Sequence, residues 1–248
     1  LREHGFSSFL CCSGEYRPYQ RKHFEFLMAK QVDAIIEIGS SYGDANDLEV
    51  YREISEEVPL IILNGFVDVP TVYSVRCDER SAICNLVEEL YKRNCRHIYY
   101  LEDNTTFCAM EKRNGFLEGI NKFNLKATSK CMTIPIYSNE ILDAQQKIER
   151  LIKNGRRIDA VLSADDLLAV GALQALNAAG LQIPVVGFNN SDFAFACTPR
   201  LTTVDNQREF VCTNAINTLL SLLDGKDAAH HIIVSPKLIE RDTFRLQS

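Results

Sequence analysis

Residues 159–190 read DAVLSADDLLAVGALQALNAAGLQIPVVGFNN, and this stretch decides the fold. Two runs in it, Ala160–Ala164 and Val185–Phe188, are apolar on successive residues, as strands buried on both faces are. Apolar residues between the two runs recur at helical spacing, with an aspartate placed to cap the helix start and Gly180 placed to cap its end. The stretch therefore predicts a strand–helix–strand unit of a parallel sheet.

The same alternation extends over most of the chain. Further helical patterns end at Gly155 and at Gly225. The predicted strands are Phe6–Cys12, Ala34–Ile38, Leu60–Leu63, His97–Leu101, Met132–Ile136, Ala160–Ala164 and Val185–Phe188. Strands that alternate with helices indicate an α/β fold with parallel sheets flanked by helices.

The strand–helix units fall into two similar sets, which predicts two lobes. The predicted N-terminal lobe comprises residues 1–75 plus 206–231, and the C-terminal lobe comprises 76–205 plus 232–248. The three predicted crossovers lie near Ser74–Cys77, Val204–Asn206 and Ile232–Pro236. Because Leu1–Gly5 resembles the end of a helix with its capping glycine, we also expect the first strand to lie outside this sequence.

The composition argues against a membrane protein, against DNA binding by this chain alone and against a zinc or redox motif. The chain has 248 residues, a net charge of −6 and no apolar stretch approaching a membrane span. An acidic body has no electrostatic reason to bind DNA by itself. The nine cysteines have no CxxC spacing, which indicates free thiols in a reducing cytoplasm rather than a zinc or redox motif.

No motif for catalysis is present in the sequence. It lacks the glycine-rich phosphate loops and the GxSxG nucleophile elbow. His230 and His231 are adjacent, and adjacent residues of a strand point to opposite faces, so a solvated edge is favoured over a metal site. We therefore predict no metal, no cofactor and no enzymatic activity.

Six segments, in chain order, resemble motifs of the lac repressor/galactose repressor family of transcriptional regulators. They are Gln31–Ile36, Val58–Leu63, Asp159–Ala172, Val185–Asn190, Pro199–Val204 and Pro236–Thr243. The resemblance covers nearly the whole chain and implies a periplasmic-binding-protein-like (type I) effector-binding core. It also implies that a helix-turn-helix head, absent from this sequence, contacts operator DNA in place of this fragment.

The resemblance, together with the convergence of parallel strand ends, predicts an effector cleft between the lobes. Its predicted lining residues are Asn64, Lys112, Tyr137, Asp165, Asn189 and Asn206. Lys112 stands where the family usually has arginine, and Asn189 where it usually has aspartate. This mostly neutral chemistry suits a sugar or related polyol. Structural alternatives stay open: a turn for Asn189, a core position for Tyr137 and a solvated helix start for Lys112.

Phe193 and Phe195 are predicted contacts of a two-fold homodimer, since the family pairs through this region. The alternative is that both rings cover their own core. Two other functions also remain open: a periplasmic sugar-binding protein of a transporter, which shares the fold, and a doubly wound α/β enzyme. The free cysteines favour the cytoplasmic repressor core over the periplasmic protein.

Overall fold

The computed structural model describes residues 2–12, 18–39, 45–102, 106–126, 130–133 and 140–246. After a short 3₁₀ turn at Arg2–His4, the helices are α1 (Pro18–Ala29), α2 (Ala45–Glu57), α3 (Glu79–Lys92), α4 (Phe107–Lys122), α5 (Glu140–Lys153), α6 (Asp166–Ala178), α7 (Asp192–Ala196) and α8 (Arg208–Leu223). The strands are β1 (Ile35–Ile38), β2 (Leu60–Leu63), β3 (Val72–Cys77), β4 (Ile98–Glu102), β5 (Lys130–Thr133), β6 (Ala160–Ser163), β7 (Val185–Phe188), β8 (Thr202–Asp205), β9 (His231–Val234) and β10 (Lys237–Ile239). Within these ranges, none of the helices combines the length and the hydropathy that crossing a bilayer requires.

The chain divides into two compact units. Unit 1 comprises Leu1–Arg76 and Arg208–Val234, and unit 2 comprises Cys77–Gln207 and Ser235–Ser248. The backbone therefore passes from one unit to the other after Arg76, after Gln207 and after Val234.

Unit 2 is built on a sheet of six strands in the order β10-β8-β7-β6-β4-β5. Its strands pair in parallel except for β10, which runs antiparallel to β8. One face carries a core that includes Leu90 and Phe116 of α3 and α4, and the other a core that includes Ile148 and Leu176 of α5 and α6. Burial on both faces explains why its central strands are continuously apolar in sequence.

Unit 1 has a sheet of four strands in the order β1-β2-β3-β9, with β1, β2 and β3 parallel. Only β2 among them is buried at every position. Phe24 and Tyr51 pack on one side of the sheet, and Val211 and Leu219 of α8 pack on the other.

Most predicted elements are confirmed, but the strand prediction at Phe6–Cys12 is wrong. This segment forms no strand, and its Phe9 and Leu10 side chains are exposed. A strand needs a neighbour for its backbone groups, and no strand in the described ranges pairs with this one. The helix ends predicted at Gly180 and Gly225 are confirmed, since both glycines adopt the left-handed conformation with φ of 69° and 70°.

Candidate functional site

Polar side chains gather in unit 2 at the carboxyl ends of β6, β7 and β8. Asp165 and Asp166 follow β6, Asn189 follows β7, and Asn206 follows β8. The three strands are adjacent and parallel, so their ends lie at one edge of the sheet. In parallel α/β sheets this edge is where ligands bind.

Asp166 organises the loops around this edge. Its side chain is fully buried and accepts hydrogen bonds from the Ser191 backbone N–H (2.7 Å), the Ser191 hydroxyl (2.8 Å) and the Thr203 hydroxyl (2.6 Å). Burial raises the pKa of the Asp166 carboxyl, although the hydrogen bonds from Thr203 and Ser191 act in the opposite direction. Gly187 leaves the space for this carboxyl, because a Cβ atom there would lie 2.2 Å from Asp166 Oδ1.

Asp165, Asn189 and Asn206 form a hydrogen-bonded chain, which we call the amide relay. Asp165 Oδ1 caps α6 by accepting from the Leu167 N–H (2.7 Å), and its Oδ2 accepts from Asn189 Nδ2 (2.7 Å). Asn189 Oδ1 in turn accepts from Asn206 Nδ2 at 3.2 Å. Asn206 is only 7% exposed, and its buried Oδ1 has no hydrogen-bond partner among the described residues.

The turn after β7 holds the amides in place. Asn189 and Asn190 both have positive φ, 96° and 48°, a conformation that asparagine tolerates better than most residues. Asn190 donates to Asp205 Oδ2 (3.2 Å), and its Oδ1 accepts from Arg241 Nη2 (2.7 Å). Asn189 is thus a turn residue whose side chain also belongs to the amide relay.

Lys112 is buried, which corrects the alternative of a solvated helix start. It lies within α4, its side chain is 7% exposed, and its Nζ donates to the Ala164 carbonyl oxygen at 2.8 Å. The same Nζ lies 4.3 Å from the ring centroid of Phe188, a distance at which a cation and a π face attract. Lys112 therefore reaches the residues at the ends of β6 and β7.

Of the two remaining predicted lining residues, one lies in the other unit of the chain. Asn64 belongs to unit 1, where it follows β2 with φ of 52° and its backbone N–H donates to the Val75 carbonyl oxygen. Tyr137 lies outside the described residues. The structure thus groups Lys112, Asp165, Asn189 and Asn206.

Sequence reasoning missed the residues that support the cluster. The sequence does not distinguish Asp166 from Asp165 as the helix cap, and it assigns no role to Ser191, Thr203 or Arg241. Arg241 stands in one of the family-like segments, which was the available signal. Its guanidinium donates to the Leu201 carbonyl oxygen and to Asn190 Oδ1.

Among the described residues, no group of three or more histidine, cysteine, aspartate or glutamate side chains is arranged to hold a metal ion. His231 instead pairs its Nδ1 with the Ser74 hydroxyl at 2.9 Å. The cysteines at 11, 12, 77, 84, 95, 108, 197 and 212 are free thiols. Burial, followed by the charges of Glu79 and Asp78, raises the pKa of Cys77 to about 12, which disfavours a nucleophilic thiolate at neutral pH.

Comparison with known proteins gives concordant matches. Residues 87–244 match the family described as periplasmic binding protein-like domain. An HTH-type transcriptional regulator of Lachnoclostridium phytofermentans is 33% identical over 98% of this chain and 74% of its own length.

Two solved structures show the same fold. The lac repressor bound to ONPG superimposes with a TM-score of 0.82 at 19% identity, covering 98% of this chain and 74% of that one. A periplasmic binding protein/LacI transcriptional regulator from Alkaliphilus metalliredigens, complexed with D-xylulofuranose, has a TM-score of 0.78 at 21% identity, covering 100% of this chain and 90% of that one. The domain match, the regulator relative and the shared fold together show that this chain belongs to the lac repressor/galactose repressor family of transcriptional regulators.

Proposed function

We propose that this chain is the effector-binding and dimerisation core of a ligand-responsive bacterial transcriptional repressor. It binds a sugar or related polyol and thereby modulates DNA binding by a helix-turn-helix head of the kind that its relative's name records. The acidic chain itself, with a net charge of −6, has no electrostatic attraction for operator DNA.

The observation that carries this proposal is the polar cluster at the ends of β6, β7 and β8. Its carboxylate and amide groups hydrogen-bond one another at fixed positions, so they are ordered before any ligand arrives. Amides and carboxylates are suitable partners for the hydroxyl groups of a sugar. The proposed effector contacts are Asn64, Lys112, Tyr137, Asp165, Asn189 and Asn206.

Effector binding changes DNA affinity only if the effector has different affinities for two conformations of the protein. Asn206 stands directly before Gln207, after which the backbone passes from unit 2 to unit 1. An effector that contacts Asn206 would therefore contact a residue next to this passage, and such a contact can differ between two conformations. An operator-binding assay of the protein with its head, with and without the effector, measures the resulting change.

Calorimetric titration of a sugar panel tests the site. We expect at least one sugar to bind, and Asp165→Ala and Asn189→Ala each to weaken binding by tenfold or more. Asp165→Asn keeps the helix cap and separates loss of binding from loss of folding. Asp227→Ala, at an exposed position of unit 1, serves as the control. Unchanged affinity in both site variants excludes this site.

The proposed homodimer contact includes Phe193 and Phe195 of α7, whose side chains are 51% and 59% exposed. Their exposure leaves them available to a partner, and burying the remaining exposed area of each ring contributes about 1–1.5 kcal/mol, half the value for a fully exposed side chain. Arg200 covers one face of Phe195, with its guanidinium carbon 4.6 Å from the ring centroid.

Sedimentation at micromolar concentration tests this contact. We expect a dimer for the unaltered protein and a monomer for the Phe193→Asp, Phe195→Asp double variant. Phe210→Asp, which alters an equally exposed ring in unit 1, should leave the dimer intact. A dimer that persists in the double variant places the contact elsewhere.

Two further parts of the proposal concern setting and chemistry. The free cysteines suit a reducing cytoplasm. The matched relative is a transcriptional regulator, and we propose that this chain turns over no substrate. A turnover screen with sugars and nucleotides tests the second point, and measurable conversion of any of them contradicts it.

A further inference from the structure

The amide relay has only one consistent direction, and this direction follows from Asp165. A carboxylate only accepts hydrogen bonds, so Asn189 must turn its Nδ2 toward Asp165 and its Oδ1 away. That oxygen can be satisfied only by a donor, so Asn206 must turn its Nδ2 toward Asn189. The far end of the amide relay is therefore an oxygen, Asn206 Oδ1.

This terminal oxygen is a built acceptor that the described residues leave unused. Asn206 is more than nine-tenths buried, and Oδ1 has no hydrogen-bond partner among the described residues. A buried acceptor without a partner destabilises the protein, so a ligand that donates a hydrogen bond to it removes this penalty and binds more tightly. Hydrogen bonds in a chain also polarise one another, and the carboxylate at the near end increases the negative character of the far oxygen.

The cations close to this cluster are already engaged. Arg241 donates to the Leu201 carbonyl oxygen and to Asn190 Oδ1, both at distances below 3 Å. Lys112 donates to the Ala164 carbonyl oxygen and rests against the Phe188 ring. Two further carboxylates, Asp166 and Asp205, belong to the same strand ends. The unused hydrogen-bonding group of the cluster is thus an acceptor, and three carboxylates stand against two cations.

We infer that the amide relay makes this site selective for charge: it takes a ligand group that donates a hydrogen bond to Asn206 Oδ1, from a hydroxyl or an ammonium, and it rejects a carboxylate or phosphate there. The inference rests on the proposed function and narrows it to neutral sugars and amino sugars, as opposed to sugar acids and sugar phosphates. An acidic group has no proton to donate to this oxygen at neutral pH and is repelled by Asp165.

Matched sugars provide the probes. We propose calorimetric titrations with three sets, each consisting of a neutral sugar, its amino sugar and its uronic acid: glucose, glucosamine and glucuronate, then the galactose and mannose equivalents. For at least one set we expect the neutral sugar to bind tenfold or more tighter than the uronate, with the amino sugar at least as tight as the neutral one.

Asp165→Asn tests whether the amide relay is the cause. An asparagine at 165 still caps α6 but can also donate, so Asn189 and Asn206 can reverse and present Nδ2 to the ligand. We expect the preference for the neutral sugar over the uronate to fall below about threefold in this variant. Asp227→Asn removes the same charge from an exposed position of unit 1 and should keep the preference at tenfold or more.

The outcomes separate the inference from the proposed function. A uronate that binds the unaltered protein as tightly as its neutral sugar overturns the inference while leaving a ligand-binding core. Equal effects of Asp165→Asn and Asp227→Asn on the preference overturn it as well. If none of the sugars binds at all, the proposed function is contradicted and the inference falls with it.

Discussion

The sheets of the two units are built from the same strand–helix pattern but differ in how completely they are covered. In unit 2, every residue of β4, β6 and β7 is buried. In unit 1, β1 begins buried and ends at Ile38, which is 75% exposed, and β9 exposes two of its four side chains. The polar cluster stands at the ends of β6 and β7, which are fully buried, and of β8, which is buried at three of its four positions.

This difference explains where a preorganised polar site can form. Carboxylates and amides keep fixed hydrogen bonds only if the backbone beneath them does not shift, and strands that are packed on both faces shift least. Substitutions in unit 2 near the polar cluster should therefore cost far more free energy than comparable ones in unit 1.

The largest expected effect is that of Asp166→Ala. It leaves the Thr203 hydroxyl and two donors of Ser191 without their buried acceptor. We expect the free energy of unfolding to fall by about 4 kcal/mol, since each orphaned group costs about 1–3 kcal/mol. Denaturant unfolding measures it, with Asp227→Ala in unit 1 as the control. A loss no greater than that of the control would remove the distinction between the units at this position.

Gly187→Ala should cause the second-largest loss in the free energy of unfolding. The added Cβ atom meets Asp166 Oδ1 at 2.2 Å and Leu201 Cδ2 at 2.8 Å, so the carboxyl must leave its place. We expect a loss of about 3 kcal/mol from overpacking. Gly225→Ala in unit 1 is the matched change, because nothing lies within 4 Å of its Cβ position and only its φ of 70° opposes alanine, at about 1 kcal/mol. Thermal unfolding of both variants gives the comparison.

Asp159→Asn should lower the free energy of unfolding by about 2 kcal/mol at neutral pH, because it weakens the charge-assisted hydrogen bonds that Asp159 accepts. Burial alone would raise the pKa of Asp159, but hydrogen bonds from Arg157 and from the backbone N–H groups of Arg96 and His97 outweigh burial and hold the pKa below its ordinary value of 3.8. A lowered folded-state pKa stabilises the protein above the unfolded-state pKa, and this contribution is lost as the pH falls through the folded-state pKa.

The difference between the unaltered protein and Asp159→Asn should therefore be constant near neutrality and should shrink as the pH drops below 4. Unfolding followed from pH 7 to pH 3 measures this. Asp242→Asn changes a carboxyl whose side chain is half exposed, and it serves as the control at neutral pH. A penalty that grows on acidification would show that the hydrogen bonds of Asp159 are not its cause.

The smallest expected effect concerns local opening without any substitution. Backbone amides of β1, at the edge of the described sheet of unit 1, should exchange with solvent about tenfold or more faster than those of β6, which has strands on both sides. Hydrogen exchange followed by mass spectrometry or NMR provides the rates. Equal protection of β1 and β6 would mean that the exposed edge is as stable as the covered strands.

The sequence predicts best where burial on both faces leaves a continuous apolar run. The limits of β2 and β7 agree with the structure, and β6 differs from its prediction by one residue. The sequence does not predict the strands β3, β8, β9 and β10, because polar residues interrupt their apolar runs. In β8, for example, Thr202 and Thr203 form hydrogen bonds with residues that are distant along the chain, Thr243 and Asp166.

The site also combines roles that local sequence predicts with roles that depend on residues distant along the chain. That Asp165 stands between a strand and a helix was visible in the sequence, and helix capping together with a ligand contact followed from that position. The role of Asp166 depends on Ser191 and Thr203, which lie 25 and 37 positions away along the chain. Pairings over such distances are set by strand order and register, which no local pattern encodes.

Gly187 and Asp166 face each other so closely that neither can change alone without penalty, and this has an evolutionary consequence. If alanine replaces Gly187 first, it fits only once residue 166 has a shorter side chain, such as serine. If Asp166 is replaced first, the intermediate variant leaves the donors of Ser191 and Thr203 without their acceptor. Since either single step is costly, the two positions should change jointly or remain together. Among descendants of this sequence, the glycine and the acid should be inherited as one trait.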